Sequence, residues 1–89
     1  MADAVITVRY FAGARAAAGA PEERLTAADL PEGATLAHLV KLLGERHGQR
    51  LTTVLPAASF LVDGVSWHVH DRELPAGAVI DVLPPFAGG

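Results

Sequence analysis

Near the start of the chain, apolar and polar positions alternate: Ile6, Val8 and Tyr10 fall on one face of an extended segment, Thr7, Arg9 and Phe11 on the other. That period of two, carried by β-branched and aromatic residues, predicts a strand over residues 5–11. From Ala12 to Ala18 alanines and Arg15 take over, which predicts a short helix stopped by Gly19. A second strand is expected over residues 22–28, antiparallel to the first, with Leu25 and Ala27 turned inward. Pro31 and Gly33 then supply turn chemistry.

The period changes at Thr35. Leu36, Leu39, Val40 and Leu43 fall at i, i+3, i+4 and i+7, one apolar stripe of a helix that Thr35 can cap and that runs to about His47, with Gly48 closing it. The stripe should pack on a sheet, leaving Lys41, Glu45 and Arg46 toward water. Residues 50–58, interrupted by Pro56, read as irregular. Residues 59–69 read as a hairpin about Asp63-Gly64, with Val62 opposite Val65 and Phe60 opposite Trp67. Phe60, Val62, Val65, Trp67 and Val69 would share its apolar face, and Ser59, Ser66, His68 and His70 the other. After a turn over residues 73–77, Val79 to Leu83 form the last strand. A sheet with one dominant helix is an α+β design, although periodicity alone does not fix the strand order.

Composition narrows the possible functions. Eighty-nine residues suit one small domain, and a hydrophobic share of 51 % suffices for a core. The net charge is −3 and the seven basic residues are scattered, which argues against nucleic acid as a partner. No apolar run approaches the length of a membrane span and no leader pattern opens the chain, so a cytoplasmic location is expected. Cysteine is absent, which removes disulfides and thiolate metal sites.

Side-chain chemistry is sparse. His38 and His47 are nine residues apart, on opposite sides of the helix, and cannot share a metal. His68 and His70 would share a strand face with Asp71 adjacent, but no further ligand is placed, and a solvated face is the simpler reading; no metal site is assigned. Gly13 to Gly19 lacks the Lys-Ser/Thr of a phosphate loop. Ser59 and Ser66 lack the setting of a hydrolase nucleophile.

The end of the chain is different. Val82 and Leu83 run into Pro84 and Pro85, which must end ladder pairing while keeping the chain extended, and Phe86, Ala87, Gly88 and Gly89 follow. Four extended residues span about 13 Å, enough to enter a pocket on another protein. Glycine lacks a Cβ, so Gly88 and Gly89 can pass a narrow channel and leave the terminal carbonyl open to attack. The Gly89 carboxylate is a nucleophile toward an activated phosphate, and the acyl-adenylate so formed would accept a sulfur donor. With no cysteine, any carried sulfur must sit at the chain end.

This ending resembles the Pro-Pro-x-x-Gly-Gly terminus of the MoaD/ThiS family of ubiquitin-like sulfur carriers, nearest to the small subunit of molybdopterin synthase. The opening run Val8, Arg9, Tyr10, Phe11 and Ala12, with Arg15 and Gly19, is similar as well. The resemblance implies a β-grasp fold over residues 1–85, with the first and last strands parallel at the centre of a mixed sheet, and a flexible tail over 86–89. It implies an E1-like adenylating partner of the MoeB/ThiF type using ATP and Mg²⁺, a sulfur donor, and a MoaE-type large subunit that receives the tail. Gly89 would bear the adenylate and then the thiocarboxylate, while Leu83, Pro84, Pro85, Phe86, Ala87 and Gly88 aim and thread it. On this reading the chain is no catalyst alone. It departs from the family after Gly77, where Ala78 and Val79 replace acidic residues and Asp81 is the only acid before Pro84. A carrier for thiamine, cysteine or another sulfurated metabolite, and a protein modifier joined through Gly89, stay open.

Overall fold

Val8, Tyr10, Phe60, Val62, Ile80 and Val82 come from three separate segments, and the fold puts all six on one buried face. The computed structural model describes residues 5–26 and 28–85. In chain order its elements are β1 (Ile6–Tyr10), α1 (Ala12–Ala18), β2 (Glu22–Leu25), α2 (Leu36–His47), α3 (Gln49–Val54), a 3-10 turn (Leu55–Ala57), β3 (Ser59–Val62), β4 (Val65–Trp67) and β5 (Val79–Leu83). The strands form one mixed sheet in the order β2-β1-β5-β3-β4. β1 and β5 run parallel at its centre, with Tyr10 opposite Val82. The other neighbours are antiparallel. This is the β-grasp arrangement.

The helix α2 follows its stripe: Leu36, Leu39 and Leu43 are fully buried and Val40 is half-buried. Thr35 caps it, its hydroxyl accepting from the His38 N–H (3.2 Å) while His38 Nδ1 accepts from the Thr35 N–H (3.0 Å). The turn Asp63-Gly64 has φ of 50° and 82°, the two positive values that a tight hairpin needs.

Three expectations need correction. The second strand stops at Leu25, because Thr26 turns the chain: the Asp29 carboxylate accepts from the Thr26 N–H at 2.9 Å, and the Leu30 N–H reaches the Thr26 carbonyl. Ala27 lies outside the described residues. Residues 50–58 are not irregular; they hold most of α3 and the 3-10 turn, with Leu51 and Leu55 buried. Leu51, Val54 and Leu55 already had i, i+3, i+4 spacing, and Pro56 is tolerated because it sits in the first turn of the 3-10 segment. A Cβ on Gly44 would lie 3.0 Å from Thr52 Oγ1, so glycine lets α3 approach α2 this closely. Finally, β4 ends at Trp67, so the apolar hairpin face is shorter than expected: Val65 is 61 % and Val69 56 % exposed.

Candidate functional site

The central strand β5 sets the geometry of the chain's end. Phe11 N–H donates to the Val82 carbonyl (3.2 Å), and Leu83 sits opposite Ser59 as the last paired residue. Pairing stops at Pro84, which has no N–H to offer. Leu83 and Pro84 are half-buried and Pro85 is exposed. Phe86, Ala87, Gly88 and Gly89 lie outside the described residues.

Near the end of β5, on the sheet face away from α2, one ion pair ties the two parallel strands together. Arg9 Nε and Nη2 donate to Asp81 Oδ1 and Oδ2 at 2.6 and 2.9 Å. The bond to Asp81 raises the Arg9 guanidinium above its ordinary value. Asp81 is only 5 % exposed, and Arg9 also lies 6.0 Å from the Phe11 ring centre. Asp81, the only acid the sequence offered near the tail, is therefore already engaged and is not free for a partner's basic residues. The signal was present: an acid within an apolar strand and an arginine at the matching position of β1, its parallel neighbour. Leu61, Val79 and Leu83, all half-buried, lie around the pair, while Thr7, Ser59 and the exposed Glu22 and Arg24 of β2 make the rest of this face polar.

A second polar cluster closes β2 onto α2. Glu23 accepts from the Tyr10 hydroxyl, pairs with His47 Nε2, and accepts from Arg46 Nη1 (3.2 Å), while Arg46 Nη2 reaches Asp29 (2.8 Å). Burial works to raise the Glu23 carboxyl, but its three hydrogen bonds outweigh that and hold it below its ordinary value. Burial and the bond to Glu23 push the Tyr10 phenol up. Arg46 is thus tied down rather than merely solvated. His47 stands edge-on to Tyr10, with ring centres 5.8 Å apart.

The remaining candidates stay apart. His38 is in the α2 cap and His47 is on Glu23. His68 and His70 do not share a face, because the strand ends before them: His68 lies by Ser66 (3.4 Å), and His70 packs edge-on against Phe60 on the buried side. Among the described residues no three His, Asp or Glu side chains are grouped to hold a metal. A groove of about 350 Å³ between α2 and α3 is lined by Val40, Gly44, Leu55 and Pro56. Lys41, Glu45 and Thr52 complete the lining, with the Thr52 hydroxyl donating to the Gly44 and Gly48 carbonyls. No helix among the described residues is long and apolar enough to cross a membrane.

Comparison with known proteins fits this geometry. The model of the ThiS family matches residues 8–89, nearly the whole length. The chain belongs to the ThiS family. Among solved structures, this ThiS-family chain is similar to a Pyrococcus furiosus protein provisionally described as molybdopterin converting factor subunit 1. The two are 32 % identical over 93 % of this chain and 99 % of that one, with a TM-score of 0.74. The modifier SAMP1 of Haloferax volcanii shares the fold at 22 % identity and a TM-score of 0.79, with 96 % and 99 % of the two chains covered. A complex of subunits 1 and 2 of the Helicobacter pylori molybdopterin-converting factor is also similar: 21 % identity, TM-score 0.66, 96 % and 99 % covered. No curated protein sequence matches the chain.

Proposed function

We propose that this ThiS-family chain is a sulfur carrier that serves as the small subunit of a molybdopterin synthase. The Gly89 carboxylate attacks the α-phosphorus of ATP, held with Mg²⁺ on an E1-like enzyme, and pyrophosphate leaves. A sulfide equivalent then attacks the acyl carbon and displaces AMP, leaving a thiocarboxylate. A large subunit receives the tail and positions that sulfur against a pterin precursor. The observation that carries the reading is the end of β5: a central strand braced on both sides stops at Leu83, and Pro84 and Pro85, the second of them exposed, have no N–H with which to extend the ladder. Holding the sulfur on a rigid base makes its transfer effectively intramolecular, where effective molarities reach about 10⁵ M or more. The 32 % identity to the Pyrococcus protein favours the pterin pathway over thiamine or cysteine.

The likeness to SAMP1 keeps a second reading in view, a modifier joined through Gly89 to amines of other proteins. One experiment separates them. The chain is incubated with an E1-like enzyme, ATP, Mg²⁺ and sulfide, then with a large subunit and the pterin precursor. Intact mass should show one oxygen replaced by sulfur, and the sulfur should then pass to the pterin. Loading without transfer to the pterin would leave a carrier of another pathway; no loading, with adducts on lysines, would establish the modifier.

A further inference from the structure

β2 and β4 are the two edges of the sheet, and they are finished differently. β2 presents Glu22 and Arg24 to water and has Glu23 bound by three side chains, a charged finish that discourages pairing with another strand. β4 itself carries no charged residue; it is Val65, Ser66 and Trp67, with the Arg72 guanidinium 4.8 Å from the Trp67 ring centre. Its Val65 is 61 % exposed, and Val69 just beyond it 56 %. Such an edge is a template for another strand.

The phase of the ladder fixes which main-chain groups are left open. The Asp63 N–H donates to the Val79 carbonyl on β5 (2.8 Å), so the main-chain groups of Val62, one residue earlier, face the other way, toward β4. Val65 opposite Val62, and Trp67 opposite Phe60, therefore direct their main-chain groups to β3. The N–H and C=O of Ser66 point away from the sheet, where no described strand pairs with them.

We propose that this edge pairs with β4 of a second copy of the chain, antiparallel, about a two-fold axis at Ser66. In that register the two Ser66 residues exchange both main-chain hydrogen bonds, and Val65 of each copy lies opposite Trp67 of the other. The contact covers the exposed Val65 with an aromatic ring on the same side of the sheet as the core. The next position sets His68 against Gly64 of the other copy, beside Asp63, whose Oδ2 is left over when Oδ1 accepts from Val79. The same three residues thus complete one another, which is why the occupant is a second copy rather than an unrelated strand. Three residues bury far less than the roughly 1,200–2,000 Å² of a stable interface, so the dimer is weak and rises with concentration. β3 separates β4 from β5, so the contact does not involve the strand that leads to Gly89, and the inference is independent of the proposed sulfur chemistry.

Sedimentation equilibrium and amide NMR spectra of the whole chain, from micromolar to millimolar concentration, test this. The mass should climb toward twice the monomer, with the Ser66 amide shifting and gaining protection from exchange. Val65→Lys, at an exposed position, and Ser66→Pro, which removes the outward N–H and no hydrogen bond of the β3–β4 ladder, should each hold the chain monomeric with a melting temperature within a few degrees of the parent. Phe11→Ser, at the other large exposed hydrophobic residue, should leave the dimer intact. A chain that stays monomeric at millimolar concentration, or a dimer that survives Val65→Lys, would overturn the proposal.

Discussion

The two faces of this sheet are built from the same strands and do opposite things. On one, Val8, Tyr10, Phe60, Val62, Ile80 and Val82 are each no more than 3 % exposed, sealed in one cluster with the leucines of α2 and α3. On the other, Leu61, Val79 and Leu83 are half-buried, Phe11 is 40 % exposed, and the Arg9–Asp81 pair sits among them. β5 belongs to both: Ile80 and Val82 hold the fold, while Asp81 and Leu83 stand on the other face toward the end of the strand. The difference teaches that residue parity along one strand separates the side chains that seal the core from those that do not, so either set can change without the other. That separation can be attacked from both sides.

The largest effect should come from the end of the chain. Deleting Gly89 should abolish sulfur loading, read by intact mass, and leave the melting temperature unchanged within a degree or two. Loading that persisted would remove the main-chain carboxylate from the chemistry. Next in size is the sealed face. Phe60→Ala should cost about 3–5 kcal/mol in urea unfolding, a large part of the roughly 5–15 kcal/mol a domain possesses. Leu61→Ala, one residue along and half-buried on the open face, should cost well under half of that. Equal costs would mean that the two faces are not distinct in energy.

How far the chain could be read in advance follows the same division. The sealed face was legible because burial imposes period: the alternation in β1, the stripe of α2 and the Asp63-Gly64 turn all stand where hydrophobic spacing put them. α3 was missed because six residues give too few turns for a stripe to declare itself, and Pro56 suggested a break where it instead opens a 3-10 turn. The polar clusters were missed for another reason. Arg9 and Asp81 are 72 residues apart, and only the parallel pairing of β1 with β5 makes them neighbours. Glu23, Arg46 and His47 likewise meet only once β2 and α2 have folded. Long-range polar contacts have no period, whereas the Pro-Pro-x-x-Gly-Gly ending carries its proposed chemistry within a few consecutive residues.

The rim of the sealed face offers a sharper and smaller test. The folded chain holds the Glu23 carboxyl below its ordinary 4.5. The unfolded chain therefore takes up this proton first as pH falls. The stabilisation is full above about 4.5 and drains away as pH drops through the lower folded value. Glu23→Gln should cost about 1–2 kcal/mol at neutral pH and flatten the acid side of the stability curve, measured by urea unfolding from pH 7 to 3. Asp81→Asn, on the open face, should leave the Glu23-dependent part of that curve in place. If it removed that part too, the two clusters would be one network.

The smallest effect lies where the two faces meet, at the start of α1. Ala12 holds a φ of +48°, a conformation costing a residue with a Cβ about 1–2 kcal/mol, and the next residue, Gly13, has no such need. Glycine in place of Ala12 relieves that strain but gives back about 0.5–1 kcal/mol in unfolded-chain freedom, so Ala12→Gly should gain only about 0.5–1 kcal/mol. For Gly13→Ala the sign is also favourable, because a Cβ there meets no atom within 4 Å and alanine is the better helix former by up to about 1 kcal/mol. The double variant, Ala12→Gly with Gly13→Ala, should therefore melt higher than either single variant. Its sulfur loading should equal the parent's, since α1 contributes packing against α3 and β1 rather than chemistry. Loading that fell while stability rose would show that the strained junction, one residue beyond the Phe11–Val82 bond, helps to set the angle at which the chain leaves the body.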